Sequence, residues 1–205
     1  MSSSYFPEAE RLSPDAFDHA VPAFGQLGAA LQYATASVFL ISSAGKMAGG
    51  NRFAEFVASV GAVRVARPSL SRPVATAVVV CEAAVCLSLA APWHLARLVG
   101  SAGAVLLLTA FCIAIIKAVR SGAETSCRCF GSASLPLGWH HVLRNAVLIA
   151  FAVIGAVTDS AGRPEDPGAL ALCAFAGLFI GILITALDDI IQLFAPLERQ
   201  EKDLL

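Results

Sequence analysis

The chain has 205 residues, of which 57% are hydrophobic and only 14% charged, whereas an ordinary soluble domain has about a quarter of its residues charged. That excludes a water-soluble globular protein and points to one that spans a membrane. A formal net charge of −1, with Lys and Arg scattered singly, excludes a nucleic-acid partner held by a basic surface, and six cysteines, most of them in apolar runs, are too few and too buried for a secreted disulfide framework.

Residues 1–28 carry Glu8, Glu10, Asp15 and Asp18 against Arg11, with Ser and Pro throughout. No basic segment leads directly into an apolar run, so this stretch reads as a polar acidic tail with room for a short surface helix, not as a cleaved signal peptide. A first span is expected from Ala29 to Met47, ending in Ser42-Ser43-Ala44-Gly45-Lys46. Lys46 there either snorkels to the interface or serves a site. Phe53, Phe56, Val57 and Val60 then recur at helical spacing beside Arg52 and Glu55, which predicts a short interfacial helix before the connection from Pro68 to Pro73.

The second span, Val74 to about Trp93, has Glu82 in its interior, ~12 Å from the helix start at the usual rise per residue. A carboxyl at that depth has to be protonated or held by a cation such as Lys46 or Arg144, and marks a functional candidate. Cys81 and Cys86 on the same helix read as small core residues. Leu98 to Ile116 forms the third span, with Cys112 near its exit either packed in the core or placed as a third thiol. The fourth, roughly His141 to Val157, carries Arg144 and Asn145 in its first turn; Asn145 cannot snorkel and is expected to hydrogen-bond within the protein. A fifth span, about Ala169 to Leu187, contains Gly177 and Gly181 in G-x-x-x-G spacing, which serves packing within one chain as readily as dimerisation. Asp188 and Asp189 mark its exit, before a charged tail.

Between the third and fourth spans lies Thr125-Ser126-Cys127-Arg128-Cys129-Phe130-Gly131, where the chain concentrates chemistry. A disulfide between cysteines one residue apart closes a small strained ring and is easily reduced. The Arg128 charge between the sulfurs favours a thiolate, the attacking form, and Gly131 allows a tight turn. Two other readings stand beside this one: inert thiols, or a metal site in which Cys127 and Cys129 join His140 and His141. Against the second, adjacent histidines seldom ligate one ion, and the spacing matches no finger or ribbon. An even number of crossings separates the end of the first span from the loop after the third. Lys46, Cys127, Cys129, Arg144 and Asn145 therefore converge on one membrane face, with Glu82 below them.

These elements together, Gly45-Lys46 closing the first helix, Glu82 in the second, Cys127-x-Cys129-Phe130-Gly131 before the fourth and Arg144-Asn145 at its start, resemble the MauE group of the MauE/DoxX family of redox-associated membrane proteins. The resemblance covers about Gly28 to Val157, and the C-x-C-F-G element is its specific part. Members typically have glycine between the cysteines, so Arg128 departs from the pattern. With the spans read above, the resemblance points to an all-α polytopic membrane protein: a polar tail over 1–28, a four-helix MauE/DoxX-like core over 29–157, and a fifth transmembrane helix with a charged tail over 158–205. It also implies disulfide handling in methylamine utilisation or an analogous maturation pathway, beside a thioredoxin-like partner or a disulfide-containing client. The order of elements is similar to vitamin K epoxide reductase as well, which brings in a quinone as a candidate electron acceptor, although no residue set in the sequence defines a pocket for it.

Eleven of the basic residues (Lys46, Arg52, Arg64, Arg67, Arg72, Lys117, Arg120, Arg128, Arg144, Arg199 and Lys202) fall on the face that carries the cysteines and three (Arg11, Arg97 and Arg163) on the other. The positive-inside rule places the C-x-C loop on the cytoplasmic side of the cell membrane. The function expected is thiol:disulfide exchange by Cys127 and Cys129, with Lys46 and Arg144 stabilising thiolate and Glu82 moving the proton. A non-catalytic scaffold of a maturation complex and a metal-delivery protein are the alternatives.

Overall fold

The computed structural model describes residues 14–49, 51–62, 68–120, 139–160 and 162–202. Six α-helices run in chain order: α1 Pro14–Met47, α2 Arg52–Ala62, α3 Ser71–Ala90, α4 His94–Arg120, α5 Trp139–Asp159 and α6 Pro167–Lys202, with a single 3-10 turn at Pro68–Leu70 and no strand among the described residues. Five of them are long and apolar enough to cross a bilayer, over Pro22–Met47, Ser71–Ala90, His94–Arg120, Trp139–Asp159 and Pro167–Leu187. At ~1.5 Å per residue the shortest of these, 20 residues, already matches a hydrocarbon core of ~30 Å. The expected all-α polytopic membrane architecture is what the chain adopts.

Helix α1 is the axis of the molecule. Two thirds of its spanning segment (67%) is buried, against 17–28% for the other four, because α3, α5 and α6 all pack on it. Contacts from α1 to α3, α3 to α4, α4 to α5 and α5 back to α1 close a four-helix bundle, and α6 lies against α1 from outside that ring. Small residues decide how close these helices come. A Cβ on Gly177 would meet the Ala30 carbonyl oxygen at 2.6 Å and the Ala34 nitrogen at 2.7 Å, and one on Gly181 would meet the Ser37 hydroxyl at 1.9 Å. The G-x-x-x-G spacing thus serves packing within the chain, with α6 seated directly on the α1 backbone. Gly155 likewise lets α5 approach Gln32, whose Nε2 donates to the Gly155 carbonyl at 3.2 Å.

Several boundaries differ from the sequence expectation, three of them where the chain enters or leaves a span. Helix α1 begins at Pro14 rather than near Ala29, so the segment before the span continues its helix. Helix α3 begins at Ser71, before Pro73, because proline is tolerated in a first helical turn, where its missing N–H has no partner to lose. Helix α6 runs on past Leu187, through Asp188 and Asp189, to Lys202.

The middle of the bundle is apolar. Ala36, Val38 and Phe39 of α1 meet Val85 and Leu89 of α3, Ala104 and Leu108 of α4, and Leu148 and Ala152 of α5. This layer separates two polar clusters, one at each end of the bundle.

Candidate functional site

The first cluster forms where α1 ends and α3 enters. In a helix the Cα–Cβ bond tilts toward the N-terminus, so a lysine in the last turn of α1 starts out pointing back into the bundle rather than out to water. Lys46 follows that direction and is 2% exposed. Its Nζ donates to the Ser42 hydroxyl, one turn earlier, at 2.9 Å and to Glu82 Oε1 in a close ion pair. Ser42 in turn donates to the same Glu82 oxygen at 3.2 Å. Glu82 is fully buried, and eleven residues into α3 it sits ~16 Å from the start of that helix. The depth that makes a lone carboxylate costly is offset by a charged and a neutral donor on one oxygen. Glu82 Oε2 has no hydrogen-bond partner among the described residues.

Aromatic rings close the site. Lys46 Nζ lies 4.8 Å from the centroid of Phe56, on α2, and 5.6 Å from that of Phe111, on α4, within the range of a cation–π attraction. Phe56 is buried in a socket formed with Ala75 and Val79 of α3, with Phe53, Val57 and Val60 around it. The amphipathic spacing that predicts α2 therefore also carries a residue of the site. Ser42, Phe56 and Phe111 carry no chemical signature of their own in the sequence; only the i, i+4 relation of Ser42 to Lys46 could have indicated one of them.

Of the other residues singled out from sequence, Asn145 is buried (2% exposed) in α5 and Arg144 beside it is half-buried. The rings of His140 and His141 lie 4.0 Å apart and tilted by 47°. Cys112 faces α5, with its sulfur 4.0 Å from the Val142 carbonyl oxygen. Cys127, Cys129 and the loop that holds them lie outside the described residues. The helices on either side fix where that loop attaches: it leaves the end of α4 and enters the start of α5, at the bundle end where α1 terminates in Lys46.

The second cluster, at the opposite end, is legible in the sequence only as scattered charges. Arg97, in the first turn of α4, turns its Nε to both carboxylate oxygens of Asp159 at the end of α5, at 2.9 and 3.1 Å. Its Nη1 donates to the Ala91 and Pro92 carbonyls of the α3–α4 connection. Arg163, between α5 and α6, donates to the same Ala91 carbonyl and stacks over the Tyr33 ring at 4.7 Å. Burial is the main influence pulling the Arg163 pKa below that of an ordinary arginine. Two guanidinium groups thus tie together the helix ends at this face.

The sequence model of the family described as Methylamine utilisation protein MauE matches residues 25–158. The chain belongs to the MauE family. The matched stretch covers nearly all of the four bundle helices' spans, α2 and residues 121–138 between α4 and α5, and leaves α6 outside. No curated protein and no solved structure matches the chain. Membership makes this a multi-pass membrane protein of the family named for methylamine utilisation, and Lys46, Ser42 and Glu82 lie within the matched stretch.

Proposed function

We propose that the chain is a membrane thiol:disulfide redox protein, or the accessory of one, that handles disulfides during maturation of a partner protein as part of methylamine utilisation or an analogous pathway. Cys127 and Cys129 are the exchanging pair; Lys46, Glu82, Arg144 and Asn145 are the groups behind them. The observation that carries this reading is the buried Lys46–Ser42–Glu82 array at the bundle end where the C-x-C loop attaches. A buried ion pair adds little to stability compared with an apolar pair of the same volume, so a chemical task is the better account of its presence.

The chemistry is two successive exchanges. The thiolate of one cysteine attacks a sulfur of the partner's disulfide; that S–S bond breaks, a mixed disulfide forms and the released partner thiolate takes up a proton. The second cysteine, as thiolate, then attacks the mixed disulfide, leaving a C-x-C disulfide and a dithiol partner, two electrons having passed from this chain to the partner. The reverse sequence oxidises the partner. Lys46 and Arg144 supply positive charge that favours thiolate, and Glu82, through Oε2, which has no hydrogen-bond partner among the described residues, accepts and returns the proton. The partner is a thioredoxin-like protein or a disulfide-containing client. The charge tally favours the cytoplasmic face of the cell membrane for the C-x-C loop.

A quinone acceptor would need a ring slot and donors for its carbonyls. The groove at the start of α5, lined by Trp139, His140, Val142, Leu143 and Ala146, offers apolar walls with the His140 imidazole and the Trp139 indole N–H as its polar groups.

Mass-shifting maleimide trapping in intact cells, before and after mild reductant, tests the reading. Cys127 and Cys129 are expected to shift between thiol and disulfide with growth on methylamine; a pair that holds one state under every growth condition contradicts exchange.

A further inference from the structure

The Lys46–Glu82 pair is closed to water from every side. Glu82 is fully buried and Lys46 is 2% exposed, the apolar layer of Phe39, Val85 and Leu108 lies among the helices behind them, and Phe56 and Phe111 cover Nζ. A fully buried carboxylate oxygen without a hydrogen-bond partner among the described residues, Glu82 Oε2, is costly and calls for a functional role. Whatever brings or removes a proton there has to pass a cover.

Of the described helices around the pair, α2 is the shortest. It has 11 residues, against at least 20 in each spanning helix, and its seat on the bundle centres on one apolar socket, Phe56 against Ala75 and Val79. The Ser59 hydroxyl is turned back to the Phe56 carbonyl of its own helix. The turn into α2 passes through Gly49 at φ +108, a left-handed backbone that costs glycine nothing and that glycine leaves easily. At the opposite end, by contrast, Arg97 and Arg163 pin the α3–α4 connection through carbonyls and a carboxylate.

We propose that α2 is a lid over the buried pair and Phe56 its latch: seated, the ring holds Lys46 turned inward and keeps the site dry, and released, it opens Glu82 Oε2 to water at that membrane face. The inference rests on the reading of Lys46 and Glu82 as the proton-handling groups. It also gives that reading the access route it lacks in the closed form.

The test uses full-length protein in vesicles permeabilised to a water-soluble methanethiosulfonate. Ser42→Cys serves as reporter, because Ser42 sits between Lys46 and Glu82 at 1% exposure and the change keeps both charges. Modification is read at that peptide by mass spectrometry, so the native cysteines stay in place. With Phe56 intact, labelling is expected to be slow. Phe56→Ala should speed it by at least about tenfold, since emptying an aromatic socket shifts a local opening equilibrium by that much or more. Phe56→Leu, which keeps an apolar plug and folds more safely, should give an intermediate rate. Leu148→Ala, which makes a comparable hole in the apolar core away from α2, should leave the rate near that of the intact lid. Rapid labelling with Phe56 in place, or variants of Phe56 no faster than Leu148→Ala, overturns the lid. If Phe56→Ala does not fold, Phe56→Leu against Leu148→Ala decides alone. Labelling does not depend on redox activity, so a lid confirmed on a chain whose cysteines never exchange leaves a gated ion pair and removes only the redox reading.

Discussion

Cutting the ion pair from one side and then from both should give opposite results, and the structure sets the sizes. Lys46→Met leaves the Glu82 carboxylate at 0% exposure with the Ser42 hydroxyl as its one remaining hydrogen-bond partner among the described residues. Removing one partner of such a pair costs about 3–5 kcal/mol. Glu82→Leu should cost less, toward the lower end, because Lys46 stands in the last turn of α1 and its flexible chain can swing out to the interface once the carboxylate is gone. The double variant Lys46→Met/Glu82→Leu replaces two charges by apolar groups of similar volume and should return to within about 1 kcal/mol of the original. For a chain of this size 1 kcal/mol corresponds to about 2–4 °C in melting temperature, so Lys46→Met should lower the midpoint by about 6–20 °C in detergent, and the second substitution should restore most of it while abolishing any proton-handling activity. A double variant as unstable as the sum of the two singles would refute the coupling and the argument built on it.

Other consequences follow from specific contacts. Gly177→Ala drives a methyl against the Ala30 carbonyl and Ala34 nitrogen, neither of which can give way, and is expected to lower stability by about 1–3 kcal/mol in thermal melts while leaving the oligomeric state by light scattering unchanged. Arg97→Ala leaves Asp159 buried without its guanidinium and should destabilise by about 3–5 kcal/mol; Arg97→Lys should fail to restore it, because a single ammonium cannot hold both the carboxylate and the Ala91 and Pro92 carbonyls. Glu82→Gln keeps size and hydrogen bonding without ionisation, so a thiol-exchange assay should show a lower rate and an altered pH profile; full activity with an unchanged profile makes Glu82 structural.

Much of the fold is written in the hydropathy pattern, because a span has to be apolar for about 20 residues and little else in the chain is. The five spans, and α2 from Phe53, Phe56, Val57 and Val60, are legible that way. Glu82 stands out for the same reason, and the need to hold a buried carboxylate narrows its partner to Lys46 or Arg144; the structure shows Lys46, through the direction in which a last-turn side chain leaves its helix. What pattern cannot reach is contact between distant segments. Ser42 is one more small polar residue on α1 until Glu82 is beside it. Phe56 and Phe111 look like any lipid-facing or core phenylalanine. Arg97, Asp159 and Arg163 are scattered interface charges in sequence and become one clamp only when α4 and α5 lie side by side. The segment before Ala29 reads as a tail from its charges, yet helix α1 runs through it from Pro14.

The central claim, that Cys127 and Cys129 exchange disulfides, is tested most directly by replacing each cysteine alone and isolating the protein under acid-quenched, non-reducing conditions. Loss of the resolving cysteine alone leaves the mixed disulfide with nothing to release it. One of Cys127→Ser and Cys129→Ser should therefore accumulate a higher-mass adduct with a partner that reductant removes, and the other should not. If neither variant traps an adduct, and the unaltered protein instead carries a stoichiometric metal that is lost on replacing Cys127, Cys129, His140 or His141, the exchange account is contradicted.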